Sequence, residues 1–150
     1  MSERLWFLDT LVTVRAAHGD GSDGISVLES VAREGDSPPL HVHETEDEVF
    51  HVLEGELALR VGDEDLSIGA GRTAVAPKGV AHTYRVRSQE ARWLVVTRHG
   101  DFERMVRALS RPAASADLPE PAGPPTPEQL EALTAACRAS RIELVGPPLS

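Results

Sequence analysis

Between residues 5 and 99 the chain breaks every few residues, and that rhythm constrains its fold more than any other feature. Runs rich in Val, Leu, Thr and aromatic residues alternate with Gly, Asp and Pro at short, regular spacing, the pattern of a β-sandwich or barrel. The runs predict strands over 11–15, 25–33, 49–53, 56–61, 65–68, 73–76, 83–86 and 92–98. Turn signals separate them at Gly19-Asp20-Gly21-Ser22-Asp23-Gly24, Glu54-Gly55-Glu56, Gly62-Asp63-Glu64-Asp65 and Gly69-Ala70-Gly71. Parallel strands would need a helical crossover between successive runs, and no such pattern occurs there. The expectation is an all-β barrel closed by antiparallel pairing.

After His99 the texture changes. Asp101 is expected to cap a short helix whose apolar residues Phe102, Met105, Val106 and Leu109 fall on one face. Residues 111–125 are rich in Pro and Ala, too poor in large apolar groups to pack alone, and read as an extended connector. Thr126-Pro127-Glu128-Gln129 combines an N-cap, a Pro at the first helical position and a Gln at the third, which starts a helix expected to reach Ala139. Residues 142–145 then predict a brief strand that Gly146-Pro147-Pro148 stops. This divides the chain into a barrel over 1–110, a connector over 111–125 and a C-terminal helix and short strand over 126–150. The tail is expected to pack on the barrel or on a partner subunit.

Composition excludes several partners. A chain of 150 residues fits a single core. Its net charge of -9, its scattered Arg residues and its single lysine, Lys78, argue against nucleic acid, which needs clustered positive charge. Anionic membrane surfaces are disfavoured for the same reason. Asp9 interrupts the apolar N-terminal run too early for a signal peptide, and no stretch has the length of a transmembrane helix. The one cysteine, Cys137, excludes an intrachain disulfide and fits a reducing cytoplasm. It falls on a helical face with Leu130 and Leu133 and is expected to pack as a small hydrophobe.

Chemistry concentrates in two glycine-framed clusters. The first is Gly35-x5-His41-x-His43-x4-Glu48-x6-Gly55 and the second Gly71-x5-Pro77-x-Gly79-x2-His82. His41 and His43 are two residues apart, so on an extended strand both point to one face, roughly 7 Å from each other. Glu44-Thr45-Glu46-Asp47 lets the chain turn back and bring the Glu48 carboxylate beside the imidazoles, while that acidic run is otherwise expected to be a solvated turn. His82 opens a strand after a tight Pro77-Lys78-Gly79 turn. Imidazole nitrogens with one carboxylate suit one divalent Fe, Mn, Co, Ni or Zn ion better than Ca or Mg. Four donors on a six-coordinate ion would leave two open positions, the mark of a catalytic rather than a closed structural site.

These clusters resemble the two motifs of the cupin superfamily, G-x5-H-x-H-x3,4-E-x6-G and G-x5-P-x-G-x2-H-x3-N. The likeness is close from Gly35 to Val86, with fifteen residues between Gly55 and Gly71. It implies a double-stranded β-helix, or jelly roll, with His41, His43, Glu48 and His82 as metal ligands. Val86 stands where the second motif ends in Asn, which removes a polar contact beyond the metal. An offset of three would make Asp47 the ligand instead of Glu48, but the six residues from Glu48 to Gly55 favour Glu48.

Parity assigns the neighbours. His51 is three past Glu48 and faces away from it, and His18 and His99 are expected to be solvated. Phe50 shares the parity of Glu48, and Tyr84 that of His82, so both are candidates for the substrate pocket. Trp93, Val95 and Thr97 share one face, and Trp93 either lines that pocket or fills the core. Tyr84 either hydrogen-bonds substrate as a weak acid or fills the core with its hydroxyl at the rim. Single-domain cupins with a short helical tail resemble bacterial quercetinase-like dioxygenases, a likeness that implies Glu48 acts as ligand and proton acceptor on a small organic substrate. A metal-dependent lyase, cyclase or isomerase of secondary metabolism, and a non-enzymatic binding cupin, are the competing readings. A homodimer is expected, because a jelly roll leaves sheet faces and edges open.

Overall fold

A computed structural model describes residues 2–150. Its strands are β1 (Glu3–Phe7), β2 (Thr10–Ala16), β3 (Ile25–Arg33), β4 (Pro39–His43), β5 (Glu48–Glu54), β6 (Glu56–Val61), β7 (Glu64–Gly69), β8 (Thr73–Ala76), β9 (His82–Val86) and β10 (Glu90–Arg98). Helix α1 (Asp101–Leu109), strand β11 (Ser110–Pro112), helix α2 (Pro127–Ala139) and strand β12 (Ile142–Pro148) complete the chain. Every strand pair is antiparallel. Seven strands form one sheet in the order β11-β1-β2-β3-β10-β5-β8, and five form the other in the order β12-β4-β9-β6-β7. The all-β jelly roll with a short helical tail is therefore the architecture.

The alternation along each strand builds the core between the sheets. Phe50 and Val52 from β5, Leu57 and Leu59 from β6, Val86 from β9, and Ala91, Trp93 and Val95 from β10 point inward and are buried together. A second cluster joins Leu5, Val12 and Leu28 to Met105 and Val106 of α1, Cys137 of α2 and Ile142 of β12. Cys137 packs as expected, and Leu133 lies against the same cluster. Leu130 does not: it is 44% exposed, because α2 touches the barrel through its C-terminal half only.

Several expectations need correction. Asp101 is the first residue of α1 rather than its cap, which is Gly100 at φ 82 with no side-chain hydrogen bond. The Asp101 carboxylate instead accepts from Thr45 and from Arg104. Strands β1 and β11 are additional to those expected, and they pair with each other, Leu5 against Pro112. Residues 110–112 therefore start the connector as an edge strand. Beyond it the chain is pinned across the barrel: Asp117 O accepts from the Trp6 indole, Pro119 O from Arg33, and Asp9 accepts from Ala122 N–H. Strand β12 does not stop at Val145 but runs through Pro147 to Pro148, which pairs with Pro39 after a register shift. A proline lacks a ladder donor, and an edge strand needs none on its open side. Helix α2 carries the full capping box, with Thr126 Oγ1 accepting from Gln129 N–H and Gln129 Oε1 from Thr126 N–H.

Candidate metal centre

The two clusters converge because two turns are stapled together. The Asp47 carboxylate accepts the Lys78 N–H at 2.9 Å, and Gly79 N–H donates to His43 O at 2.9 Å. Gly79 makes that bond at φ +80, a conformation other residues adopt only at a cost. The staple sets β9 beside β4, where His41 pairs directly with His82. His41, His43 and His82 thus come from the five-stranded sheet. Glu48 comes from β5 of the seven-stranded sheet and faces them across the barrel mouth.

One donor atom from each of these four residues lies within 4.8 Å of all the others. The imidazole centroids are 4.4–5.1 Å apart. Glu48 Oε2 lies 2.9 Å from His43 Nε2 and 2.7 Å from His82 Nε2. Burial would raise the Glu48 pKa, but His43 and His82 outweigh it and hold the carboxyl well below its usual range. His41 is pushed down to about 3 by burial and by the neighbouring imidazoles, so its ring is neutral. Its Nδ1 donates to Pro39 O at 2.7 Å, which leaves the Nε2 lone pair free.

The residues fit a divalent transition metal. His82 Nδ1 faces Val80 O at 3.2 Å and Nε2 faces the Glu48 carboxylate, so both nitrogens meet acceptors. A neutral imidazole carries one N–H and can satisfy one of them. An extra proton or a cation between Nε2 and Oε2 resolves the conflict. His43 is buried with neither nitrogen in a hydrogen bond, although Nε2 is close to Glu48. Three nitrogens and a carboxylate oxygen form the donor set that such an ion prefers.

The remaining site candidates divide by depth. Phe50 and Trp93 are buried in the barrel core, and Tyr84 is half-buried between them, with its ring centroid 6.0 Å from Phe50 and 5.2 Å from Trp93. Phe50 also meets the His82 ring edge-on at 6.1 Å. Burial, then the Asp36 and Glu48 charges, push the Tyr84 phenol well above its usual value, so it stays protonated. His51 faces outward and its Nδ1 bonds Thr73 Oγ1 at 2.7 Å. His18 and His99 are exposed. Asp47 is exposed and serves the staple rather than the donor cluster.

Sequence reasoning missed two carboxylates. Glu46, expected in a solvated turn, is 1% exposed. Its Oε1 accepts the Phe102 N–H at 2.7 Å, supplying the cap that α1 lacks. Asp36 carries a pKa raised to about 6 by burial and by Asp9, and Thr10 only partly offsets this. Glu46 stands in a run of acidic residues at His43 plus three, and neither signal in the sequence separates it from its exposed neighbours.

Comparison with known proteins agrees with this geometry. The family described as the cupin domain matches residues 27–97. The quercetin 2,3-dioxygenase of Bacillus subtilis is 30% identical over 117 residues, which are 78% of this chain and 35% of that protein. The chain thus spans about a third of that relative's length. An uncharacterised protein of Streptomyces coelicolor is 32% identical over 100 residues, 59% of this chain and 90% of that one. Among solved structures, the polyketide cyclase RemF from Streptomyces resistomycificus superimposes with a TM-score of 0.53 at 26% identity, over 75% of each chain.

Proposed function

Because the chain belongs to the cupin superfamily, we propose that it is a metal-dependent enzyme acting on a small organic molecule, most closely a quercetinase-like dioxygenase. The observation that carries this reading is the convergence of His41, His43, Glu48 and His82, from two sheets, on one point at the barrel mouth. A bound divalent ion would supply Lewis acidity at its open positions, where a deprotonated substrate hydroxyl could be held. Glu48 is ionised and serves as ligand and proton acceptor. Tyr84 keeps its proton and would donate a hydrogen bond toward substrate, while Phe50 and Trp93, buried in the core, pack against its ring and hold it in place.

Elemental analysis of the purified protein beside a His41→Ala variant tests the metal, and oxygen uptake with flavonols and dihydroxylated aromatics tests the reaction. The expected result is bound metal in the wild type, little in the variant, and uptake that stops on chelation. Turnover that survives exhaustive chelation would overturn the reading. The likeness to a polyketide cyclase over three quarters of both chains favours a second reaction class, a metal-dependent cyclase, lyase or isomerase. Substrate consumed with no oxygen uptake would select it.

A homodimer and a cytoplasmic setting belong to the same reading. No helix among the described residues is long and apolar enough to cross a membrane, and Cys137 is free and buried. The outward face of the seven-stranded sheet carries four valines in one cross-strand row, Val27, Val96, Val49 and Val75, flanked by Ile25 and Leu53. On a chain of net charge -9 this row carries no charge of its own, and a two-fold pairing would bury it against itself. Sedimentation should show a dimer that Val96→Glu dissociates, and a monomeric wild type would refute it.

A further inference from the structure

We propose that Glu46 is a positioning residue for the metal centre: with the ion bound, one carboxylate oxygen accepts a hydrogen bond from His43 Nδ1–H while the other holds the N-terminus of α1. The inference rests on the reading that His41, His43, Glu48 and His82 hold a metal.

A buried ligand imidazole has two nitrogens to satisfy. One binds the ion, and the other needs an acceptor for its proton, which fixes the tautomer and the ring. His41 and His82 meet this need with backbone carbonyls, Pro39 O and Val80 O. His43 has no such carbonyl. Its Nδ1 is one of a few buried side-chain atoms without a hydrogen bond among the described residues, with Glu46 Oε2, Trp93 Nε1 and Thr97 Oγ1.

Those atoms narrow the choice. Trp93 Nε1 is a donor only and cannot receive a proton. Thr97 Oγ1 is a neutral acceptor. Glu46 follows His43 by three residues around the β4–β5 turn, and both side chains are 1% exposed. The same corner is closed from the far side. Phe102, whose N–H donates to Glu46 Oε1, places its ring 5.7 Å from the His43 ring. A second tie joins the turn to α1, from Thr45 Oγ1 to the Asp101 carboxylate. Glu46 therefore has one oxygen committed to α1 and one free, buried oxygen beside a histidine with a free, buried nitrogen. Closing that pair would aim His43 Nε2 at the ion and raise the basicity of the ring.

Glu46→Gln tests this, because its amide oxygen can still take the Phe102 N–H while its NH2 offers His43 a second donor instead of an acceptor. Cobalt(II) titration should give an affinity on the order of 10- to 100-fold weaker than wild type, with altered visible absorption bands. The unfolding midpoint of the metal-free protein should be nearly unchanged, and Thr97→Val should bind as wild type does. Equal cobalt affinity and spectra for Glu46→Gln and wild type would overturn the inference and leave the metal reading standing. A wild type that binds no cobalt would overturn the metal reading itself. Should the variant not fold, 15N NMR of the zinc-loaded wild type decides. A slowly exchanging His43 Nδ1–H supports the role, and an unprotonated Nδ1 refutes it.

Discussion

Asp36 shows how burial makes a single carboxyl contribute to the pH response of the fold. Its pKa is raised from 3.8 to about 6, chiefly by burial and next by the charge of Asp9. The folded protein thus keeps a proton that the unfolded chain releases between pH about 4 and about 6. Proton binding at Asp36 favours the folded state across that window, so the contribution of this group falls as pH rises through it and is then flat. A shift of this size is worth up to about 3 kcal/mol. Asp36→Asn should match the wild type near pH 4 and exceed it in urea unfolding at pH 7 to 8; a constant difference across that range would refute the account. Gly55 makes the opposite case, where the backbone allows no change. It sits at φ +83, and a Cβ there would lie 2.4 Å from Glu90 O, a backbone atom that cannot swing aside. Gly55→Ala should therefore cost more than the roughly 1–2 kcal/mol of left-handed strain alone, measured by chemical denaturation. Of these residues the glycine was legible in the sequence, because turn chemistry is local. The carboxylates Asp36 and Glu46 were not, because their burial depends on partners far along the chain: Phe102 lies 56 residues from Glu46.

The elements that position the site were readable to the degree that their order is local. Strands β3, β6 and β8 fall on their expected bounds, since each is a short run rich in apolar residues framed by turn residues. The edge strands were missed or cut short, because an edge exists only where a partner happens to pass. Strand β11 needs β1, and β12 carries two prolines that its sequence reads as a stop. Yet β12 shapes the metal centre, for it pairs Ile142 with His43 and Leu144 with His41 along the outer edge of β4. Ile142 is buried in the second core cluster beside Cys137, Met105 and Val106. Ile142→Ala should cost about 2–5 kcal/mol in unfolding experiments, as a buried branched side chain leaves a cavity. It should also weaken metal binding, since the strand behind both histidines loosens. Full stability in the variant would show that β12 is a passenger on the edge of the sheet.

At the scale of the molecule, the four donors tie the two sheets together. His41, His43 and His82 belong to the five-stranded sheet and Glu48 to the seven-stranded one, so an ion held by all four would cross-link the halves of the barrel. Between the sheets the core is apolar and packs without direction, while the mouth gathers buried imidazoles and a carboxylate that repel or compete when left alone. An ion that binds the folded state and not the unfolded chain stabilises it by about 2.7 kcal/mol at a hundredfold excess over its Kd. For a domain of this length that corresponds to a Tm rise of about 5–11 °C. Zinc or cobalt should give a rise of that order in the wild type, and a chelator should reverse it. His41→Ala keeps donors from both sheets and, although it holds little metal through purification, should retain part of the rise when the ion is added in excess. Glu48→Gln replaces the only donor from the seven-stranded sheet with a poor ligand and should lose most of it, although three histidines remain. Equal rises in the two variants would mean that the ion acts within one sheet. No rise in the wild type would remove the cross-link altogether.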